Sequence, residues 1–241
     1  MFQSGHRRYD QLVMQSWDDN GKNPDNYGED NWKYVKRDHS LHPTKTTIDG
    51  EPSYEQVLQG LHDKTQGYWQ SWDVRRYAYW SVLAGAMGHT YADNSIMQFY
   101  TAKDGEGAFG VKQEWKEAIH NAGSSQMMHL KNLMERVDYQ NGVPAEHLLL
   151  SAQGEKYERV SVFSGKDFII CYTYQGKPFT LDLSTHPKIL DTYWMDPETG
   201  VYSFAGQLMN KKEIEFHPPF KGEGHGDWVL VLTEPKSYDI V

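Results

Sequence analysis

The stretch from Lys45 to Glu55, KTTIDGEPSYE, decides the architecture of this 241-residue chain. Its β-branched residues predict a short strand over 45–49 that ends at Gly50. Glu51 follows at the carboxyl end of that strand. In sheets of parallel strands connected by helices, catalytic side chains lie at this end of the strands. Glu51 is therefore the first candidate catalytic residue.

Strand and helix patterns alternate around this stretch. Residues 1–6 resemble the end of a strand, and a helical pattern covers 32–41. A long helix is predicted over 72–87, with Ser71 as its N-cap, and a short strand near 88–91 follows it. Three strand–helix units in succession predict a parallel sheet whose carboxyl ends share one edge.

The second part of the chain has a different periodicity. Helices are predicted over 112–121 and 124–136, and beyond residue 144 the apolar residues alternate with a period of two. The expected fold class is therefore α/β over 1–144, followed by an antiparallel β-sandwich over 145–241. Seven short runs carry the alternation, with one member each at Val162, Ile170, Leu181, Tyr193, Phe204, Ile214 and Leu230.

Composition excludes several classes of function. The formal net charge of −9, without a cluster of Lys and Arg, argues against a nucleic-acid partner. No apolar run reaches the roughly 18 residues of a membrane span. Aromatic residues make up 14% of the chain, a composition that suits stacking on sugar rings. The single cysteine, Cys171, is expected to be a buried structural thiol.

We predict no metal and no cofactor. His39 and His42 are three residues apart and His62 adjoins Asp63, but no third ligand has a spacing typical of a zinc site. The segment 223–227 has too few alternating acids for a calcium loop.

Four motifs occur in order: QSGHRRY at 3–9, DGEPSYE at 49–55, DVRRYAYW at 73–80 and GHTY at 88–91. Together they resemble the apiosidase-like glycoside hydrolases of bacteria. The tail, with WMDPETG at 194–200 and DWVLVL at 227–232, resembles the collagen-binding-type domain that follows the catalytic barrel in that family. The resemblance implies that 1–144 is the C-terminal part of a (β/α)8 TIM barrel, namely its strands six to eight.

The resemblance also implies a retaining glycosidase that acts on plant cell-wall glycans. Glu51, at the end of strand seven, would be the nucleophile, and Glu55 is the alternative to it. The acid/base carboxylate of such barrels comes from strand four, about 5–5.5 Å from the nucleophile. That strand is missing from the pattern, so we expect a fragment that is inactive in isolation. Full-length members are expected to be periplasmic or secreted, although no leader opens this chain.

Six residues are candidates for substrate binding. His6 could hydrogen-bond a sugar hydroxyl or orient Glu51, and it could equally be structural, as could His89. Tyr91 could donate to the nucleophile and lower its pKa. Trp69, with Trp72, could form a stacking wall or only pack the loop 56–70. The set is His6, Tyr54, Trp69, His89, Tyr91 and Asn94.

Other residues and functions stay open at this point. Arg75 and Arg76 are expected to be salt-bridge residues or residues at the bottom of the barrel, away from the rim. A non-catalytic β-sandwich that binds carbohydrate or protein, beside a barrel remnant, is the alternative function, and a sandwich that only supports the barrel is a third. Three parallel strands cannot close a barrel, so an apolar face with Ile48 is expected to lie open. The expected partners are an oligo- or polysaccharide and either the missing barrel half or a second copy of the chain, with no membrane.

Overall fold

The structure, a computed structural model, describes residues 31–59, 61, 64–154, 156–186, 189–222 and 225–235. The chain divides into two compact units, Met1–Met127 and Met128–Val241. The strand expected over 1–6 lies outside the described residues. No helix in the described part of the chain has the length and apolar character needed to span a bilayer.

The first unit contains two short parallel strands and several helices. Strand β1 (Ile48–Asp49) pairs with strand β2 (Gly88–His89) so that Ile48 lies beside Gly88 and Asp49 beside His89. The predicted parallel pairing of these two segments is therefore confirmed. In chain order the elements are α1 (Asn31–His39), β1 (Ile48–Asp49), α2 (Ser71–Leu83), β2 (Gly88–His89), α3 (Asn94–Gln98), α4 (Trp115–Ala118) and the start of α5 (Ala122–Arg136), within which the boundary between the units falls.

Helix α2 is the buried centre of this unit. It starts one residue after its N-cap Gln70, whose N–H donates to the Asp73 carboxylate over 3.0 Å. It ends at Leu83, four residues before the predicted end, because Gly85 has a φ of +105°. A Cβ at Gly85 would lie 2.8 Å from the His39 ring, so a larger residue would not fit there.

The helix predicted over 112–121 is shorter in the structure. Only Trp115–Ala118 is helical. Asn121 is turned toward Asp93 and Gln113, to which its side-chain amide donates over 2.8 and 3.0 Å. Helix α5 starts directly afterwards at Ala122, so Asn121 lies between the two helices.

The second unit is built on antiparallel strands, and all seven predicted runs form them. Strands β3, β4, β5, β10, β7 and β8 form a six-stranded sheet in that order, and β6 pairs with β9. The strands are β3 (Val143–Pro144), β4 (Val160–Ser164), β5 (Phe168–Thr173), β6 (Phe179–Asp182), β7 (Ile189–Met195), β8 (Tyr202–Met209), β9 (Glu213–Phe216) and β10 (Trp228–Thr233).

One core joins the two sheets of this unit. Cys171 and Leu230 from the large sheet pack in the same cluster as Leu181 and Phe216 from the small one. Side chains on both faces of the central strand β5 are buried, which explains why it reads as a continuous apolar run. Cys171 is a buried free thiol, as predicted, and burial raises its pKa well above the ordinary range.

This core makes a specific prediction. Leu230 is 0% exposed and Leu150 is 48% exposed, so the two leucines form a matched pair within one unit. We expect Leu230→Ala to lower the free energy of unfolding by about 2–5 kcal/mol, because it leaves a cavity. Leu150→Ala should change it by less than about 0.5 kcal/mol. Urea unfolding followed by tryptophan fluorescence measures both, and equal effects would contradict the assignment of the core.

Candidate functional site

Three carboxylates lie within seven residues at the carboxyl end of β1, and they have different environments. Asp49 is 1% exposed and Glu55 is 4% exposed. Glu51, between them, is exposed. A buried carboxylate requires hydrogen-bond donors, so the partners of the two buried acids define how this segment is held.

Asp49 is directed at the helices. Its carboxylate accepts from the Asn31 amide at the start of α1 over 3.1 Å and from the Ser81 hydroxyl in α2. His89 lies beside it on β2, with its Nδ1 3.5 Å from the same carboxylate and its side chain only 5% exposed. The His89 side chain is therefore buried beside Asp49. The substrate contact expected of His89 stays a prediction.

Glu51 lies on an excursion between two points of parallel pairing. Before it, Thr90 N–H donates to the Asp49 carbonyl over 2.9 Å. After it, Glu55 N–H donates to the Ala92 carbonyl, and Asn94 N–H donates to the Glu55 carbonyl, both over 2.9 Å. The chain therefore leaves the sheet at Gly50 and returns at Glu55, and Glu51 is presented on the segment between.

Glu55 is held at the N-terminal end of helix α5. Its Oε2 accepts from the Tyr91 hydroxyl over 2.6 Å and from Gly123 N–H over 3.1 Å. Burial raises the pKa of Glu55. The bond from Tyr91 opposes this rise, Asp93 adds to it, and Gly123 and Arg75 oppose it.

Tyr91 is expected from the sequence to donate a hydrogen bond to Glu51, but in the structure it donates to Glu55. The single hydroxyl hydrogen of Tyr91 is directed to Glu55, and Ser124 N–H donates to the hydroxyl oxygen. Burial, followed by the bond to Glu55, raises the pKa of Tyr91. Tyr91 therefore belongs to the surroundings of the alternative acid, and a sugar contact by it stays a prediction.

Asn94 is 0% exposed and its amide is occupied. The Nδ2 atom donates to the Gln56 and Phe109 carbonyls over 3.0 and 3.2 Å, and Oδ1 accepts from Gln98 over 2.6 Å. These bonds connect the loops that follow β1 and β2. The structure gives Asn94 a structural role, and the predicted sugar contact is untested.

The aromatic candidates divide by exposure. Trp69 is 5% exposed and packs edge-on against Tyr77 with ring centroids 5.7 Å apart. Tyr54 packs against the same cluster. Trp72, in contrast, is 39% exposed. The burial of Trp69 agrees with the alternative in which this residue only packs the loop 56–70. Trp72 has an exposed surface on which a sugar ring could stack.

The two arginines of α2 are buried charges. Each is 1% exposed. Arg76 forms the expected salt bridge, with Asp73 over 2.8 Å, and lies over the rings of Tyr77 and Trp80. Arg75 donates to the Gln126 side chain in α5.

Some of the residues considered in the sequence are not described by the structure. His6, His62 and Asp63 lie outside the described residues. Among the residues that are described, no three His, Cys, Asp or Glu side chains are grouped so that they could hold a metal ion.

Sequence reasoning missed Gly123, which is 68 residues from its partner Glu55. A Cβ at this position would overlap Glu55 Oε2 and would lie 2.9 Å from the Tyr91 ring. The available signal was a glycine inside the first turn of a helix, where it is unfavourable without a packing reason.

Comparison with known families now adds to this geometry. The family model described as "Apiosidase-like, catalytic domain" matches residues 1–141. The chain belongs to the apiosidase-like family. Residues 143–233 match the model described as "Putative collagen-binding domain of a collagenase". The resemblance predicted from the motifs is confirmed in both parts.

Two solved structures are similar over most of this apiosidase-like chain. One, described as a glycoside hydrolase, has 38% identity and a TM-score of 0.80, covering 88% of this chain and 47% of its own. The other is a glycoside hydrolase family 5 protein from Bacteroides vulgatus ATCC 8482, with 36% identity and a TM-score of 0.80. The match covers 88% of this chain and 46% of that protein. This chain thus spans less than half the length of either. A search of curated proteins gave no match.

The environment of Glu55 predicts a pH dependence. Because the folded state raises its pKa above the ordinary 4.5, ionisation of Glu55 destabilises the fold as pH rises from about 4.5 through the raised value. Glu55→Gln removes this titration. We therefore expect the melting temperature of the variant minus that of the wild type to increase with pH across this window and then level off. Thermal melts between pH 4 and 8 measure it; a constant or decreasing difference would contradict the burial of this carboxyl.

Proposed function

We propose that this chain is the C-terminal portion of a retaining glycoside hydrolase that acts on plant cell-wall glycans, with Glu51 as the nucleophile. The observation that carries the proposal is the contrast among the three acids: Asp49 and Glu55 are buried and bonded to helices, whereas Glu51 is exposed at the carboxyl end of a parallel strand. Membership of the apiosidase-like family supports the reaction class.

The proposal assigns β1 and β2 to strands seven and eight of a TIM barrel. The parallel register of the two strands supports this assignment, as does the likeness to two glycoside hydrolases of about twice the length. Strand six would fall in residues 1–6, and the domain boundary near residue 144 is part of the same proposal. The open face expected at the barrel interior agrees with Ile48 being 39% exposed.

The chemistry requires two carboxyl groups. A Glu51 oxygen attacks the anomeric carbon while a second carboxylic acid protonates the leaving oxygen, which yields a glycosyl ester and a free alcohol. Water, deprotonated by that second group, then releases the sugar and regenerates the Glu51 carboxylate. Under the proposal the second group belongs to strand four of the barrel, outside this chain. Under the proposal the substrate is an oligo- or polysaccharide from which a branched pentose such as apiose is released.

A non-catalytic role in binding polysaccharide or protein is the second candidate. It is favoured by strand β8, where Phe204 is 60% exposed and lies against Tyr193 with ring centroids 5.4 Å apart. If this role is the main one, the second unit should bind pectic polysaccharide or collagen, and Phe204→Ala should weaken that binding in an affinity gel.

The proposed reaction makes a kinetic prediction. When the chain is mixed with the polypeptide that completes its catalytic domain, we expect release of pentose from pectic oligosaccharide, and the chain alone should release none. Glu51→Gln should lower kcat on the order of 10³-fold or more, because the attacking carboxylate is lost. Sugar release is followed by chromatography.

The matched control is Glu106→Gln, since the Glu106 side chain is 89% exposed in its contact with Lys64. This variant should keep the wild-type rate. Activity that survives Glu51→Gln would remove Glu51 from the mechanism, and a mixture without any sugar release would argue against the glycosidase proposal.

A further inference from the structure

We propose that Glu55 and Tyr91 form a positioning pair that fixes the segment carrying Glu51, and that Glu55 is not a second catalytic acid. This inference rests on the proposed function, because it assigns Glu51 to catalysis. It adds a role for a carboxylate and a phenol that the reaction itself does not use.

The segment 50–54 is held from both of its ends. Parallel pairing with the second strand stops after Asp49 and resumes at Glu55. Upstream, the Asp49 side chain is bonded to α1 and α2. Downstream, Glu55 is bonded through its backbone to Ala92 and Asn94, and through its side chain to Tyr91 and α5. The position of Glu51 therefore depends on two anchors, one on each side.

The downstream anchor includes the N-terminal end of helix α5. Gly123 and Ser124 belong to the first turn of the 15-residue helix α5, where backbone N–H groups have no partner within the helix. Gly123 N–H donates to Glu55 and Ser124 N–H donates to Tyr91. The Tyr91 hydroxyl in turn donates to Glu55. Two side chains from two strand ends thus satisfy one helix terminus.

The Glu55 carboxylate packs closely against Gly123. A methyl group at Gly123 would overlap Glu55 Oε2, so glycine is required for the approach of the carboxylate. Glu55 is 4% exposed, and Tyr91 and Gly123 both donate to the same oxygen, Oε2. A carboxyl group in this position lacks the surface that a substrate would need. Its chemistry is that of a hydrogen-bond acceptor.

Catalysis depends on how precisely the reacting carboxylate of Glu51 is positioned. A shift of about 1 Å in a reacting group can lower the rate about 100-fold. Loss of the side-chain bonds of Glu55 would leave the downstream end of the segment 50–54 held mainly by the backbone bonds of Glu55 to Ala92 and Asn94. The rate of the chemical step should then fall, while substrate affinity, set by other contacts, should change little.

A set of variants tests this inference. Glu55→Gln keeps an oxygen that accepts from Tyr91 and Gly123. Glu55→Leu keeps a similar volume and removes the acceptor. Tyr91→Phe removes only one donor. The control is again Glu106→Gln. The readouts are kcat and KM of the mixed, complete enzyme, and hydrogen exchange of the amides in residues 46–55 of this chain by mass spectrometry.

We expect Glu55→Gln to keep kcat within about 3-fold and to leave exchange unchanged, since the acceptor is preserved. Glu55→Leu should lower kcat about 10- to 100-fold with KM nearly constant, and should speed exchange in 50–55. Tyr91→Phe should lower kcat about 3- to 10-fold. If Glu55→Leu does not fold, Glu55→Gln and Tyr91→Phe decide the question.

Four outcomes would overturn the inference. Glu55→Gln as inactive as Glu51→Gln would make Glu55 catalytic. If Glu55→Leu folds and has the wild-type kcat and the wild-type hydrogen exchange, Glu55 has no positioning role. If Tyr91→Phe leaves kcat and hydrogen exchange unchanged, Tyr91 is not part of the pair. A lower melting temperature with unchanged kcat would leave only a structural role. If Glu51→Gln stays active, the proposed function fails, whereas the exchange data still test the anchor independently.

Discussion

The fold of the first unit depends on the burial of two carboxylates, Asp49 and Glu55, at either end of a short excursion from a parallel strand pair. Each buried carboxylate is stable only because donors from helices and from the neighbouring strand reach it. This requirement connects β1 to three helices. It also leaves the acid between them, Glu51, as the exposed one. The environment thus divides three chemically similar side chains into two that are buried and bonded to helices and one that is exposed.

Much of this architecture could be predicted from the sequence, because periodicity reports on burial. The alternating apolar runs around Ile170 and Leu230 form strands β5 and β10, as predicted. A strand that is buried on one or both faces of its sheet needs apolar side chains there, and this need is visible in the sequence. The start and end of α2 were less predictable. Its end follows from the positive φ of Gly85, and the His39 ring leaves no room for a Cβ at that position. The fit of His39 against Gly85 is a contact between residues far apart in the chain, so it has no signal in the local sequence.

The candidate site was predictable only in part, for the same reason. The motif DGEPSYE indicates that acids gather at a strand end, but it does not tell which acid is buried. That distinction depends on Tyr91 and on Gly123, 68 residues from Glu55. Asn94 and Trp69 are similar cases, because their types suit sugar binding while their burial assigns them to the interior. Membership of the apiosidase-like family fixes the class of fold and leaves these roles to experiment.

The central claim is that Glu51, and not Glu55, forms the covalent bond to the sugar. A 2-deoxy-2-fluoro glycoside of the substrate pentose, added to the complete enzyme, should trap the glycosyl ester. Trypsin cleavage after Lys45 and Lys64 places both acids in the peptide 46–64, and fragmentation before Pro52 separates them. We predict that the added mass lies on the fragment that ends at Glu51. A label on the fragment that contains Glu55 would contradict the account.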